Sequence, residues 1–133
     1  MQRRASPGTQ AHPRATFLSA FRFAWQGVLH VLRSQRNARI HLGAAAAVIV
    51  AALGVRVSGL ELAVLVLCIT LVIGAEMMNT VIEAIVDLVS PGYHPLAKIA
   101  KDVAAGAVLV CAGGSAITGL IIFVPHLWHA LGR

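Results

Sequence analysis

Three long apolar stretches, roughly 40–57, 60–89 and 96–124, take up most of this chain and limit what it can fold into. A helix that crosses ~30 Å of hydrocarbon needs about 20 apolar residues. In lipid each backbone N–H and C=O must be satisfied inside the element, so a helix is the economical solution. Of the 133 residues, 58% are hydrophobic and 12% charged, against roughly 25% charged in a soluble domain. The expected class is an all-α integral membrane protein of one domain. The first stretch has a small-residue core, LGAAAAVIVAALGV, suited to close helix packing. Arg56, Ser58 and Gly59 then predict a tight turn.

The second stretch is apolar from Leu62 to Ala75, about 21 Å of helix. Its helical pattern continues through MMNTVIEAIVDLV until Ser90-Pro91-Gly92 breaks it. In the third, Gly106, Gly113, Gly114 and Gly119 predict tight helix contacts. Pro125 is expected to end that helix, with His126, Trp128, His129 and Arg133 as an interfacial tail. Cys68 and Cys111 lie in apolar runs and read as small hydrophobes, not as a disulfide or zinc site.

Ahead of the spans, residues 1–14 (MQRRASPGTQAHPR) show no periodicity and are expected to be a disordered basic arm, leaving 15–133 as the membrane domain. No cleavable signal is expected, because no apolar segment follows the opening basic residues closely. Over 15–37, Phe17, Phe21, Ala24, Val28, Val31 and Leu32 recur at helical spacing, while Arg22, Gln26, Arg33 and Arg36 interrupt them. That pattern predicts an amphipathic helix at the membrane surface, with Phe23 and Trp25 at headgroup level.

The net charge is +6, yet nine of the eleven basic residues lie in the N-terminal region and the 90–102 loop. Such clustering reads as a cytoplasmic N-terminus and loop, and as attraction to anionic headgroups. Nucleic acid is not the expected partner. His30, His126 and His129 read as interfacial, His41 as an anchor of the first span, Glu61 as solvated, and Met77 and Met78 as packing.

Against this apolar background, four of the five acidic residues, Glu76, Glu83, Asp87 and Asp102, crowd into 27 positions. A carboxylate at bilayer depth costs at least ~2.5 kcal/mol on insertion scales, so it marks a functional position by default. At about 100° per residue, Glu76, Asn79, Thr80, Glu83 and Asp87 share one helix face. Glu76 and Glu83 are ~10 Å apart along the axis, and Asp87 is ~6 Å further out. The stripe runs from lipid depth toward water. An inner carboxylate there could act as general base on a lipid hydroxyl, and one further out could hold Mg²⁺ through oxygen ligands. The next segment, SPGYHPLAKIAKD, supplies Lys98, Lys101 and Asp102, with Pro95 suited to a helix first turn. Phosphoryl transfer needs positioning, metal and cationic clamps. A proton or ion path and an interhelical hydrogen-bond seam remain open on the same spacing. No Walker-type or kinase-type glycine loop is present.

The stretch Glu76-Met-Met-Asn79-Thr80-Val-Ile-Glu83-Ala-Ile-Val-Asp87 resembles the signature of the prokaryotic diacylglycerol kinase and undecaprenol kinase family. So do His94-Pro95-Leu-Ala-Lys-Ile-Ala-Lys101-Asp102-Val-Ala-Ala-Gly106-Ala107-Val108 and Arg36-Asn37-Ala-Arg39-Ile40-His41. The resemblance covers about residues 16–127. It implies a homotrimeric membrane kinase with a surface helix, three spans per protomer and sites built between protomers. ATP would be the phosphate donor, Mg²⁺ the metal and a membrane lipid alcohol the acceptor. By resemblance Glu76 is the catalytic base, Glu83 binds metal, and Asn79 orients substrate or base, with Thr80 and Asp87 in support. Phe23, Gly92, Tyr93, His94, Lys101 and Asp102 would line the nucleotide. Ala20, Trp25 and Gly27 would belong to the lipid-facing surface helix.

Two positions depart from the family pattern. Gln35 stands where a second metal-binding Glu is usual; its amide oxygen can still ligate Mg²⁺, without charge. Thr16 stands where a basic, nucleotide-facing residue is expected, and Arg14 or Arg22 could substitute. The leading expectation is an ATP-dependent lipid kinase, closer to the undecaprenol branch. The alternatives are a catalytically weakened nucleotide- or lipid-binding protein of the same fold, and a small ion conduit.

Overall fold

The computed structural model describes residues 16–132. Four helices follow one another: α1 (Phe17–Ser34), α2 (Arg36–Gly54), α3 (Gly59–Val89) and α4 (Pro95–Leu131). Among the described residues no strand occurs. The last three helices are long and apolar enough to cross a membrane. The expected class, an all-α membrane protein with a helix ahead of three spans, is the observed one. The 1–14 arm and Arg133 lie outside the described residues.

The helix expected over 15–37 stops short. Gln35 adopts extended backbone (φ −99°, ψ 120°) and serves both as C-cap of α1 and as N-cap of α2. Its N–H still donates to the Val31 carbonyl at 2.8 Å. No Gly or Pro marks this break. The second helix accordingly begins at Arg36, not near 40, and Arg36 and Arg39 are exposed on its first turns.

The α2–α3 turn closes in four residues. Val57 N–H donates to Ala52 O at 3.1 Å, and Arg56 N–H to Leu53 O at 3.3 Å. This is a Schellman closure, in which the residue after the cap takes left-handed backbone. Here that residue is Arg56, with φ 58°. Ser58 then caps α3. Its hydroxyl accepts from Glu61 N–H at 3.3 Å, and the Glu61 carboxylate accepts from Ser58 N–H at 2.7 Å. Glu61 is therefore a member of a capping box, beyond the merely solvated residue expected.

The most extensive contact is the antiparallel pairing of α3 with α4. On α3 the buried residues Leu65, Val72 and Asn79 repeat every seven positions, and Glu76 lies in the same seam. Ala104, Val108 and Ile122 are the buried residues of α4. Seven-residue spacing keeps one seam facing its partner. Ala52 of α2 joins Leu65 and Ile122 in a small core beside the α2–α3 turn.

A further expectation fails at the end of α4. Pro125 does not end α4, which continues to Leu131. Proline removes one backbone N–H, but a membrane helix tolerates it when other groups serve the freed carbonyls. The carbonyl that loses its usual donor is Ile121 O; His126 Nδ1 lies 2.8 Å from the next one, Ile122 O. His126 is half-buried, 3.7 Å from Glu61, and so joins α4 to α3 instead of sitting in a free tail. Nor do Gly106, Gly113, Gly114 and Gly119 make close contacts within one chain: an added Cβ at each would meet nothing within 4 Å. The close approach of α3 and α4 is instead marked by Ser115, whose hydroxyl donates to Cys68 O at 3.3 Å.

Candidate active site

Helix α3 carries the acidic stripe, and burial along it is graded. Glu76 is 3% exposed and Asn79 9% exposed, Glu83 is half-buried, and Asp87 is exposed. The gradient follows from the fold. The α3–α4 seam encloses the inner positions, while Asp87, near the α3–α4 turn, is open to the surroundings even though it contacts Lys101 of α4.

Three side chains meet around one carboxylate. Asn79, one turn back on the same helix, donates Nδ2–H to Glu83 Oε1 at 3.0 Å. Gln35, held at the α1–α2 junction, donates Nε2–H to Glu83 Oε2 at 3.2 Å. An ionised carboxylate only accepts, so both amides must turn their NH₂ groups toward it. The Asn79 Oδ1 atom consequently faces away, buried and without a partner among the described residues. A buried acceptor in that state costs about 1–3 kcal/mol unless a ligand or water satisfies it.

The other acids divide into two groups. Asp102 pairs with Lys98, Asp87 with Lys101 at 2.5 Å, and Glu61 lies beside His126. Among the described residues no basic side chain pairs with Glu76 or Glu83. Those two carboxylates are set apart from the acids that merely balance charge.

The remaining candidates are placed as follows. Thr80 directs its hydroxyl to Glu76 O at 3.0 Å and so braces the helix. His94 is the N-cap of α4 and accepts from Leu96 N–H at 3.2 Å; Pro95 follows in the first turn. Gly92 and Tyr93 are exposed in the α3–α4 turn, where Ser90 donates to Gly92 O at 3.2 Å. Ala20, Phe23 and Trp25 are exposed on α1, with the Arg22 guanidinium 5.3 Å from the Phe23 ring centre. Among the described residues no hydrogen bond links these turn and α1 positions to Glu83. Sequence reasoning did not foresee the Lys101–Asp87 pair. Its signal is topological, since a short turn between antiparallel helices brings positions 14 apart to one height.

No three His, Cys, Asp or Glu side chains converge as a metal cluster among the described residues. The donors at Glu83 are nevertheless all hard oxygens once the amides turn: one carboxylate, the unpartnered Asn79 Oδ1 and the Gln35 amide oxygen. That set fits Mg²⁺, which keeps several waters and takes one or two protein carboxylates beside substrate phosphates.

Fold and site together define a class: a small helical membrane protein with two unpaired carboxylates spaced along its longest hairpin. Comparison with known proteins agrees. The family model described as "Prokaryotic diacylglycerol kinase" matches residues 22–123. A diacylglycerol kinase of Synechocystis is 47% identical over 111 residues, 83% of this chain and 63% of that protein. An undecaprenol kinase of Bacillus subtilis is 43% identical over 111 residues, 84% of this chain and 90% of the relative. A diacylglycerol kinase of Escherichia coli is 28% identical over 109 residues, 82% of this chain and 89% of the relative. The chain thus spans less than two thirds of the Synechocystis protein but most of the other two. The chain belongs to the prokaryotic diacylglycerol kinase family, a family of membrane lipid kinases.

Proposed function

We propose that this chain transfers the γ-phosphoryl group of ATP to the hydroxyl of a membrane lipid alcohol at the cytoplasmic face of a bacterial inner membrane. The observation that carries the reading is Glu76, a carboxylate 3% exposed in an apolar seam with no basic partner among the described residues. Such a group is available to take a proton. The lipid hydroxyl oxygen bonds to the γ-phosphorus, the bond to the β,γ-bridging oxygen breaks, ADP leaves, and Glu76 accepts the hydroxyl proton. Asn79, one turn away, would orient the attacking hydroxyl or the base.

Bound Mg²⁺ would offset the charge of the phosphate oxygens. Glu83 would hold it, with the amide oxygens of Gln35 and Asn79. Lys101 steadies the phosphates once it turns from Asp87, an exposed pairing worth little in itself. Gly92, Tyr93, His94, Asp102 and Phe23 complete the nucleotide site, and Ala20 and Trp25 face the lipid. These residues are dispersed in the single chain, which supports a homotrimer whose neighbouring copies close each site. The form of the HPLAKIAKD segment favours undecaprenol over diacylglycerol.

Phosphoryl transfer from ATP to each lipid, measured in bilayers across a Mg²⁺ titration, tests the reading. Transfer to undecaprenol with loss in Glu76→Gln is expected. Absence of transfer to either lipid, or full activity in Glu76→Gln, would overturn it.

A further inference from the structure

The two amides around Glu83 carry a consequence for metal binding. Both carboxylate oxygens already accept a hydrogen bond from within the chain: Gln35 Nε2–H donates to Oε2 and Asn79 Nδ2–H to Oε1. Gln35 is anchored for this task, because its backbone is fixed at the α1–α2 junction and hydrogen-bonded to Val31. A divalent cation approaching Glu83 alone meets two NH₂ groups whose partial charge is positive. It can gain amide oxygens only if both amides turn over, and turning breaks both hydrogen bonds to the carboxylate. The chain then offers a single negative charge against two positive ones. Cation affinity in oxygen sites follows ligand charge count and rigidity. The missing negative charge has one natural source in a kinase, the phosphate oxygens of the nucleotide.

We propose that Gln35 makes metal binding at Glu83 conditional on nucleotide, so that the site admits Mg²⁺ only as its complex with ATP and excludes the free ion. The inference rests on the kinase reading given above. In the empty site Gln35 and Asn79 hold the Glu83 carboxylate in position. When the nucleotide–metal complex arrives, both amides turn and exchange N–H for oxygen, which gives the buried Asn79 Oδ1 the partner it lacks in the empty site. Gln35 is thus a specificity-determining residue for the order of binding.

Mn²⁺ binding to the full-length protein in bilayers, followed by electron paramagnetic resonance with and without a non-hydrolysable ATP analogue, tests this. Analogue binding is measured separately by calorimetry. With Mn²⁺ up to ~1 mM and no nucleotide, the natural protein is expected to show no saturable binding, and the analogue is expected to create it. Gln35→Glu is expected to bind free Mn²⁺ on the order of tenfold or more tightly than the natural protein, through the added charge. Gln35→Ala, which removes one of the two NH₂ groups without adding charge, is expected to bind free Mn²⁺ more tightly than the natural protein but less tightly than Gln35→Glu. Saturable binding of free Mn²⁺ by the natural protein, equal to that of Gln35→Glu, would overturn the inference while leaving the kinase reading intact. Failure of the analogue to bind at all would sink both. The natural-protein comparison stands even if Gln35→Glu does not fold.

Discussion

Arg56 is the residue whose backbone conflicts most openly with its side chain. It holds φ 58° in the Schellman closure of α2, where a Cβ is disfavoured. Arg56→Gly is therefore expected to stabilise the protein by about 1 kcal/mol, read as a higher thermal midpoint in detergent. Glu76 presents the reverse case, a buried carboxylate whose cost to stability is offset only by the role proposed for it. Glu76→Gln keeps the shape and removes the proposed base. Lipid phosphorylation is expected to fall ~10²–10⁴-fold with nucleotide affinity unchanged, checked by initial rates beside calorimetry. The adjacency of Asn79 and Glu83 was legible from their spacing of one helical turn. The approach of Gln35 was suggested only by family resemblance, since nothing in local periodicity brings position 35 to position 83. That its amide would face the carboxylate as a donor became clear only with the fold.

Between elements, the ends matter more than the middles. The four-residue link from α2 to α3 depends on a Schellman closure followed at once by a capping box. Ser58→Ala is expected to cost about 1 kcal/mol, measured by thermal unfolding, with lipid phosphorylation unaffected. The three spans were readable because apolar length and composition alone determine them in lipid. The break at Gln35 was not, because it uses extended backbone at a residue with no turn preference, flanked by Ser34, whose hydroxyl bonds back to His30 O at 2.8 Å. Helix α4 runs past Pro125 as well: a membrane span tolerates an internal proline at which a helix in water more often ends. Across the other turn, Lys101 faces Asp87 instead of open solvent. Lys101→Gln is expected to raise the ATP KM several-fold with a smaller change in kcat, the signature of a residue that binds phosphate more than it assists the chemistry.

At the scale of the molecule, the two ends of the α3–α4 hairpin differ in what covers their apolar side chains. Beside the α2–α3 turn lie the Ala52, Leu65 and Ile122 core and the His126–Glu61 contact. Leu65→Ala there is expected to destabilise by roughly 2–5 kcal/mol, seen in thermal unfolding. Toward the α3–α4 turn, Ile85, Leu88, Val89, Leu96 and Ile99 are all more than half exposed. The family's overall architecture was legible from hydropathy, but this asymmetry was not, since all three spans are apolar throughout and only packing decides which contacts form. The short turn and the Lys101–Asp87 pair still tie the helices together there. What stays bare at that end is an oily flank, and in a bilayer acyl chains coat it, so the surroundings finish packing that the single chain leaves undone.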